Sequence, residues 1–277
     1  MSAGRFLVLP ALLALLTCRG GPPRPRPDTR TTAAASTASA TPPPVPAAPA
    51  GAGELPPLGG EWLVSLPLEG FGPASVSVPL GATSPREVVV ALHGRNDRPE
   101  WACGEWRGVT CATSFILCPH GTPADAPPGR GLAFGSDEQT RRELDAGLVA
   151  LRARFGRHVA DGPMIVAGFS LGAIRGVPLV AGDPARFPVA VLGEGGQAQW
   201  TAARVAGFAR GGGRRVLFLC STEGCEAESP RAIAALGRAG VQARMVSAGH
   251  IGHLVDDRVV EAARAGWPWV LGASAAP

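Results

Sequence analysis

Gly168-Phe169-Ser170-Leu171-Gly172 constrains the fold of this chain more than any other stretch. It follows Met164-Ile165-Val166-Ala167, an apolar run with the length of a short buried strand. It precedes Ala173-Ile174-Arg175-Gly176-Val177, which can open a helix. G-x-S-x-G between a strand and a helix demands a very sharp turn, and a side chain at either glycine would clash. The serine is forced into a strained backbone conformation with its hydroxyl exposed. With 38 Gly in 277 residues the five letters alone would mean little. The strand before them is what makes Ser170 a candidate nucleophile.

Around that turn, strand and helix patterns alternate. Trp62–Leu66 and Ala74–Val78 read as an antiparallel pair joined by a Gly-rich turn. Glu87–Leu92 and Ser114–Cys118 are continuous apolar runs, as expected of parallel strands covered on both faces. Leu144, Leu148, Leu151 and Phe155 share one face of a helix over Gln139–Phe155, with Ser136 or Asp137 as its cap. Further strands are expected at Val189–Leu192, Arg215–Cys220 and Val241–Val246. Helices are expected at Ser229–Ala239, with Pro230 in the first turn, and at Asp256–Trp267. The segment from Arg95 to Cys111 is long, polar and Trp-bearing, and reads as a substrate-shaping loop. The fold class is α/β, with a mostly parallel central sheet, helices on both faces and an antiparallel N-terminal strand pair. A ligand site then belongs beyond the carboxyl ends of the strands.

The first residues are a targeting segment rather than part of this fold. Arg5 supplies a positive start and Phe6–Leu16 an apolar core of signal-peptide length. Leu15-Leu16-Thr17-Cys18 resembles a bacterial lipobox, which would make residues 1–18 the leader and Cys18 the lipidated residue, with Thr17 a departure from the small residues usual there. Residues 19–59 are rich in Pro, Ala and Thr, bury too little apolar surface to offset ordering entropy, and read as a tether. The folded domain is expected over 60–277. The chain is then exported, either as a lipoprotein facing the periplasm or cell surface, with the N-terminal lipid as its membrane partner, or as a secreted protein. Export implies an oxidising compartment. Without Cys18 five cysteines remain, so at least one is free or pairs between chains. Cys103 can pair with Cys111 or Cys118, and Cys220 with Cys225.

A net charge of +4, with no arginine cluster interleaved with aromatics, argues against nucleic-acid binding. No C-x-x-C occurs and there are 5 His, so no metal site is expected. Leu92-His93-Gly94-Arg95 follows the Val88–Leu92 run. There a His-Gly pair can shape an oxyanion loop whose Arg95 N–H, with that of Leu171, would meet charge developing on a carbonyl oxygen. A base for Ser170 must be a histidine that can reach its hydroxyl. In Gly249-His250-Ile251-Gly252-His253, after the last strand, His250 is preferred and His253 is its neighbour. His120 and His158 suit the role less well.

Leu92-His93-Gly94, Gly168-Phe169-Ser170-Leu171-Gly172 and Gly249-His250, in that order over roughly Glu61 to Leu271, resemble α/β-hydrolase-fold serine hydrolases of the esterase, depolymerase and dienelactone-hydrolase kind. The resemblance implies Ser170 as nucleophile, His250 as base and a carboxylate to orient it. The family usually takes an Asp just past the strand that here ends at Cys220, where this chain has Ser221-Thr222-Glu223-Gly224-Cys225-Glu226. Glu223 is preferred, then Glu226. Glu194, after Val189–Leu192, is the third option, as in some members. The implied activity is hydrolysis of a small or extended ester, or a similar acyl bond, through an acyl-enzyme with no cofactor. Two other readings stand beside it: a non-catalytic binding protein of the same fold, and a peptidase or amidase. The connection from Leu192 to Arg215 leaves about twenty residues, too few for a large lid. Arg95, Arg98 and Arg175 could favour an anionic substrate. Trp101, Trp106, Trp200, Trp267 and Trp269 read as core or rim packing.

Overall fold

A computed structural model describes residues 54–123 and 131–272. The leader, Cys18 and most of the expected tether lie outside the described residues. Residues 54–58, assigned to the tether by composition, pack on the domain. Leu55 is buried, and its N–H donates to the Thr83 carbonyl at 2.8 Å.

Eight strands form one sheet: β1 (Leu63–Leu66), β2 (Ala74–Ser77), β3 (Val88–Leu92), β4 (Phe115–Cys118), β7 (Ile165–Phe169), β8 (Val189–Gly193), β9 (Arg215–Cys220) and β10 (Gln242–Ser247). Their order is β1-β2-β4-β3-β7-β8-β9-β10, antiparallel at β1–β2–β4 and parallel from β4 onward. A small hairpin, β5 (Thr122–Pro123) and β6 (Leu132–Ala133), stands apart from it. The expected strands are all present, and every residue of β3, β4 and β8 is buried.

Strand side chains alternate between two cores, because successive residues point to opposite faces. Val88, Val90 and Leu92 pack with α2 (Asp137–Phe155), α3 (Leu171–Gly182), α4 (Ala202–Arg210) and α5 (Glu223–Arg238). Val89 and Ala91 pack with α1 (Pro99–Val109) and α6 (Asp257–Val270). The Ser136 hydroxyl accepts from the Gln139 N–H and caps α2.

Two expectations need correction. Arg95–Cys111 is not mainly a loop, for Pro99–Val109 is helix α1. Pro99 starts the helix, and Ala102, Cys103, Trp106 and Val109 form its buried stripe at helical spacing. Second, α5 begins at Glu223, so Pro230 lies inside the helix and Glu223 and Glu226 sit in its first turn. Thr222, as N-cap, accepts from the Cys225 N–H and sets that start. Among the described cysteines none is free, and the open choice for Cys103 falls to Cys118. Cys103 pairs with Cys118, tying α1 to β4, and Cys220 pairs with Cys225.

Of the tryptophans, Trp106, Trp200 and Trp267 are buried, and Trp101 is half exposed on the first turn of α1.

Candidate active site

Strand register builds the site. Phe169 pairs with Gly193, and Gly193 with Leu219, while Ser247 pairs with Cys220. The chain therefore leaves β7, β8, β9 and β10 at nearly one level, and the residues that follow meet at the carboxyl edge.

Ser170 is the first of them. It has φ 52° and ψ −117°, between β7 and the first turn of α3. A non-glycine residue there costs on the order of 1–3 kcal/mol and persists only where its surroundings impose it. Two glycines do so. A Cβ on Gly168 would lie 2.5 Å from the Gly172 carbonyl carbon, and a Cβ on Gly172 would fall on the Leu92 carbonyl. Leu171 opens α3, so its N–H has no partner within the helix and is free to point at an anion.

His253, not His250, reaches the serine. Its Nε2 lies 2.8 Å from Ser170 Oγ, and its ring packs on Phe169 with centroids 5.2 Å apart. Its Nδ1 lies 3.4 Å from Glu194 Oε2. Glu194 follows β8, has φ 50°, and its side chain is 3% exposed. A buried carboxylate is stable only when its oxygens are met by donors. Oε1 accepts the N–H groups of Ser221 and Thr222, the latter at 3.0 Å, and Oε2 accepts the Thr222 hydroxyl at 2.8 Å. The sequence does hold a signal for this residue: a lone acid between a buried apolar strand and Gly195-Gly196. A Cβ on Gly195 would sit 2.9 Å from the Ser170 carbonyl oxygen, so the absence of a side chain lets this turn close on α3.

The preferred partners, His250 and Glu223, are brought together elsewhere. His250 Nε2 lies 3.1 Å from Glu226 Oε2, and its Nδ1 lies 3.6 Å from Glu223 Oε1. The hydrogen bond to Glu226 raises the His250 pKa above the ordinary histidine value. Ser247 and then His250 hold Glu226 below the ordinary carboxylate range. Glu223 and Glu226 are one helical turn apart and both face His250, so neither can serve His253 in this arrangement. The carboxylate that His253 meets follows β8, one strand inward from the segment after β9.

His93 is a strut rather than a reacting group. It is buried, and its Nδ1 and Nε2 lie 2.8 and 3.0 Å from the carbonyl oxygens of Gly94 and His120. Its ring packs on Phe134. A Cβ on Gly94 would lie 3.7 Å from Ser170 Cβ, so this loop borders the serine directly. The loop's N–H groups are mostly occupied. Those of Gly94 and Arg98 bond to the Asp97 carboxylate, and that of Asn96 to the Leu132 carbonyl. Among the described residues, the N–H groups of Arg95 and Asp97 have no hydrogen-bond acceptor. Burial raises the Asp97 pKa against those hydrogen bonds. Glu143, buried on α2, accepts from the N–H groups of Gly121 and His120 and holds the next turn, and burial raises its pKa as well.

His120 Nδ1 lies 3.2 Å from the Gly121 carbonyl oxygen and His158 Nε2 2.8 Å from the Pro56 carbonyl oxygen, and neither ring hydrogen-bonds to Ser170. Arg95 and Arg98 are exposed, while Arg175 pairs with Asp137 at 2.9 Å. Ligand atoms of Glu194, Cys220 and Cys225 lie within 4.8 Å of one another. The two sulfurs form a disulfide, so this group lacks the thiolates a metal would need.

No family model and no curated protein matches this chain in sequence. Solved structures do match it in fold. A carboxylesterase from Bacillus cereus is 16% identical with a TM-score of 0.52, covering 74% of this chain and 96% of its own. The fluorophosphonate-binding serine hydrolase F of Staphylococcus aureus is 12% identical with a TM-score of 0.53, covering 76% and 97%. Poly(aspartic acid) hydrolase-1 from Sphingomonas sp. KT-1 is 12% identical with a TM-score of 0.52, covering 76% and 98%. Strand order, the serine turn and these likenesses agree: the chain has the α/β-hydrolase fold.

Proposed function

We propose that this protein is a serine hydrolase that cleaves a carboxylic ester or a similar acyl bond through an acyl-enzyme. The observation that carries the reading is the line from Ser170 Oγ through His253 to a buried carboxylate, at 2.8 and 3.4 Å. In the tautomer with Nδ1–H toward Glu194, Nε2 accepts the serine proton as Oγ attacks the carbonyl carbon. Glu194 orients the ring and stabilises the imidazolium that forms. The N–H groups of Leu171 and Arg95 are the candidate donors to the tetrahedral oxyanion. As that state collapses, Nε2 returns the proton to the leaving oxygen. A water activated by the same nitrogen then releases the acyl group, and Ser170 regains its proton.

The binding-protein reading drew its support from the lack of an acid after β9. Glu194 removes that ground, and no observation favours peptide over ester cleavage. Between β8 and β9 stand only a short 3₁₀ turn at Gln197–Gln199 and α4, which favours an open site for a small or extended substrate over one capped by a large lid. The leader-like N-terminus supports an exported, Cys18-anchored protein.

The test is labelling of the full, oxidised chain with a fluorophosphonate probe beside Ser170→Ala. Labelling of the parent alone, with turnover of a simple aryl ester, supports the reading. An unlabelled, folded parent overturns it.

A further inference from the structure

We infer that Thr222 is a positioning residue for the reaction: its hydroxyl fixes the Glu194 oxygen that faces His253. The inference rests on the serine-hydrolase reading and adds to it a residue that never meets the substrate.

The two oxygens of Glu194 are held differently. Oε1 is taken up by two backbone donors, Ser221 N–H and Thr222 N–H. Oε2 receives the Thr222 hydroxyl at 2.8 Å and faces His253 Nδ1 at 3.4 Å. One end of the carboxylate is thus pinned by peptide groups, and the other is shared between a hydroxyl and the imidazole. Rotation of the carboxylate would break bonds at both ends.

The direction of the hydroxyl proton follows from its other contact. Thr222 Oγ1 accepts the Cys225 N–H at 3.3 Å as the N-cap of α5. A hydroxyl has a single proton to give. With a lone pair committed to the helix, that proton goes to the carboxylate oxygen 2.8 Å away, Glu194 Oε2. Capping accounts for the bond from Cys225. It does not account for the bond to Glu194, and the two roles separate by mutation.

The same dipeptide holds the base. The Ser221 carbonyl accepts the N–H groups of Ile251 and Gly252 at 3.0 and 3.1 Å, and its hydroxyl donates to the Gly252 carbonyl at 2.9 Å. Gly252 immediately precedes His253. Ser221-Thr222 therefore grips the acid on one side and the histidine loop on the other, inside the turn closed by Cys220–Cys225. The place after β9, where Glu223 was expected to stand in for the family's usual aspartate, instead supplies donors for an acid borrowed from β8.

The experiment is steady-state hydrolysis of p-nitrophenyl acetate by the full chain, with thermal melts of each variant. Thr222→Val should lower kcat by about tenfold to a hundredfold and leave KM within about twofold, since a bond to a charged group is lost and no substrate contact is. Thr222→Ser, which keeps the proton, should stay within about threefold of the parent. Thr222→Gly is tolerated at an N-cap at a cost of a few tenths of a kcal/mol but has no hydroxyl to give, so it should fall as far as Thr222→Val. It carries the comparison if the valine variant does not fold. In a Glu194→Ala background, Thr222→Val should cost less than about twofold, because the partner is gone. Parent-like kcat in Thr222→Val or Thr222→Gly, or an equal loss in the Glu194→Ala background, overturns the inference while the parent's labelling leaves the serine-hydrolase reading standing. A parent that neither turns over the ester nor takes the fluorophosphonate label overturns both.

Discussion

Ser170 and Glu194 occupy equivalent places on adjacent parallel strands. Each directly follows one member of the Phe169–Gly193 pair, and each has a left-handed backbone, with φ 52° and 50°. The Ser170 N–H donates to the Gly193 carbonyl at 2.8 Å, which locks the two turns to each other. The candidate nucleophile and the candidate acid are thereby placed by sheet register, and the histidine loop has only to descend between them.

This geometry separates the histidines and the glutamates by activity. Ser170→Ala and His253→Ala should each lower kcat by about four orders of magnitude or more, as members of such a unit do. Glu194→Ala should cost less, and His250→Ala and Glu223→Ala should stay within about threefold. Ester turnover by the purified variants measures this. A severe loss in His250→Ala beside an active His253→Ala would reverse the assignment.

His250 should titrate above the ordinary histidine value of 6.5, because Glu226 hydrogen-bonds its charged form. Its contribution to stability is complete below 6.5 and is lost as pH rises through the raised pKa. The Glu226 contribution is present above 4.5 and is lost as pH falls through its lowered pKa. The pair is therefore most effective between pH 4.5 and 6.5. NMR titration should show the His250 pKa returning toward 6.5 in Glu226→Gln. An unmoved titration would rule the pairing out.

Glu143 should prove to be a buried acceptor whose charge costs stability. Glu143→Leu leaves the His120 and Gly121 N–H groups unmet and should destabilise by about 2–4 kcal/mol. Glu143→Gln keeps a carbonyl acceptor and should lie within about 1 kcal/mol of the parent. Because burial raises the carboxyl's folded pKa, the parent loses stability relative to Gln as pH rises through that pKa. Urea unfolding at acidic and neutral pH checks both size and sign.

Cys103 and Cys118 close a loop across a sequence separation of 15, and both are fully buried. Replacing both with Ala should cost about 3 kcal/mol by loop-closure entropy. Replacing Cys220 and Cys225, with a separation of 5, should cost about 2 kcal/mol on the same basis. Equilibrium unfolding of the oxidised parent and the two double variants measures the difference, and equal midpoints would contradict it.

Much of the scaffold was legible in the residues. The apolar runs at Val88–Leu92, Phe115–Cys118 and Arg215–Cys220 are strands because burial on both faces requires an uninterrupted apolar run. Helix α1 was hidden although its stripe of Ala102, Cys103, Trp106 and Val109 has helical period. Polar residues and glycine between those positions made it look like a loop. The start of α5 was misplaced because Pro230 resembles a first-turn proline, whereas the effective cap is Thr222.

By itself, the sequence determined the strands of the main sheet, the helices α2, α3, α5 and α6 in outline, the serine turn and the edge of the sheet where chemistry would gather. These are local matters: hydrophobic period and the steric demand of glycine at 168 and 172 act between near neighbours in the chain. The choice of His253 over His250 and of Glu194 over Glu223 was left to the tertiary structure. Each choice depends on the relative register of β7, β8, β9 and β10 and on hydrogen bonds between residues 27 to 83 positions apart. No local pattern encodes such distances, and the two residues between the histidines of one loop are enough to send one to the serine and the other to a pair of glutamates.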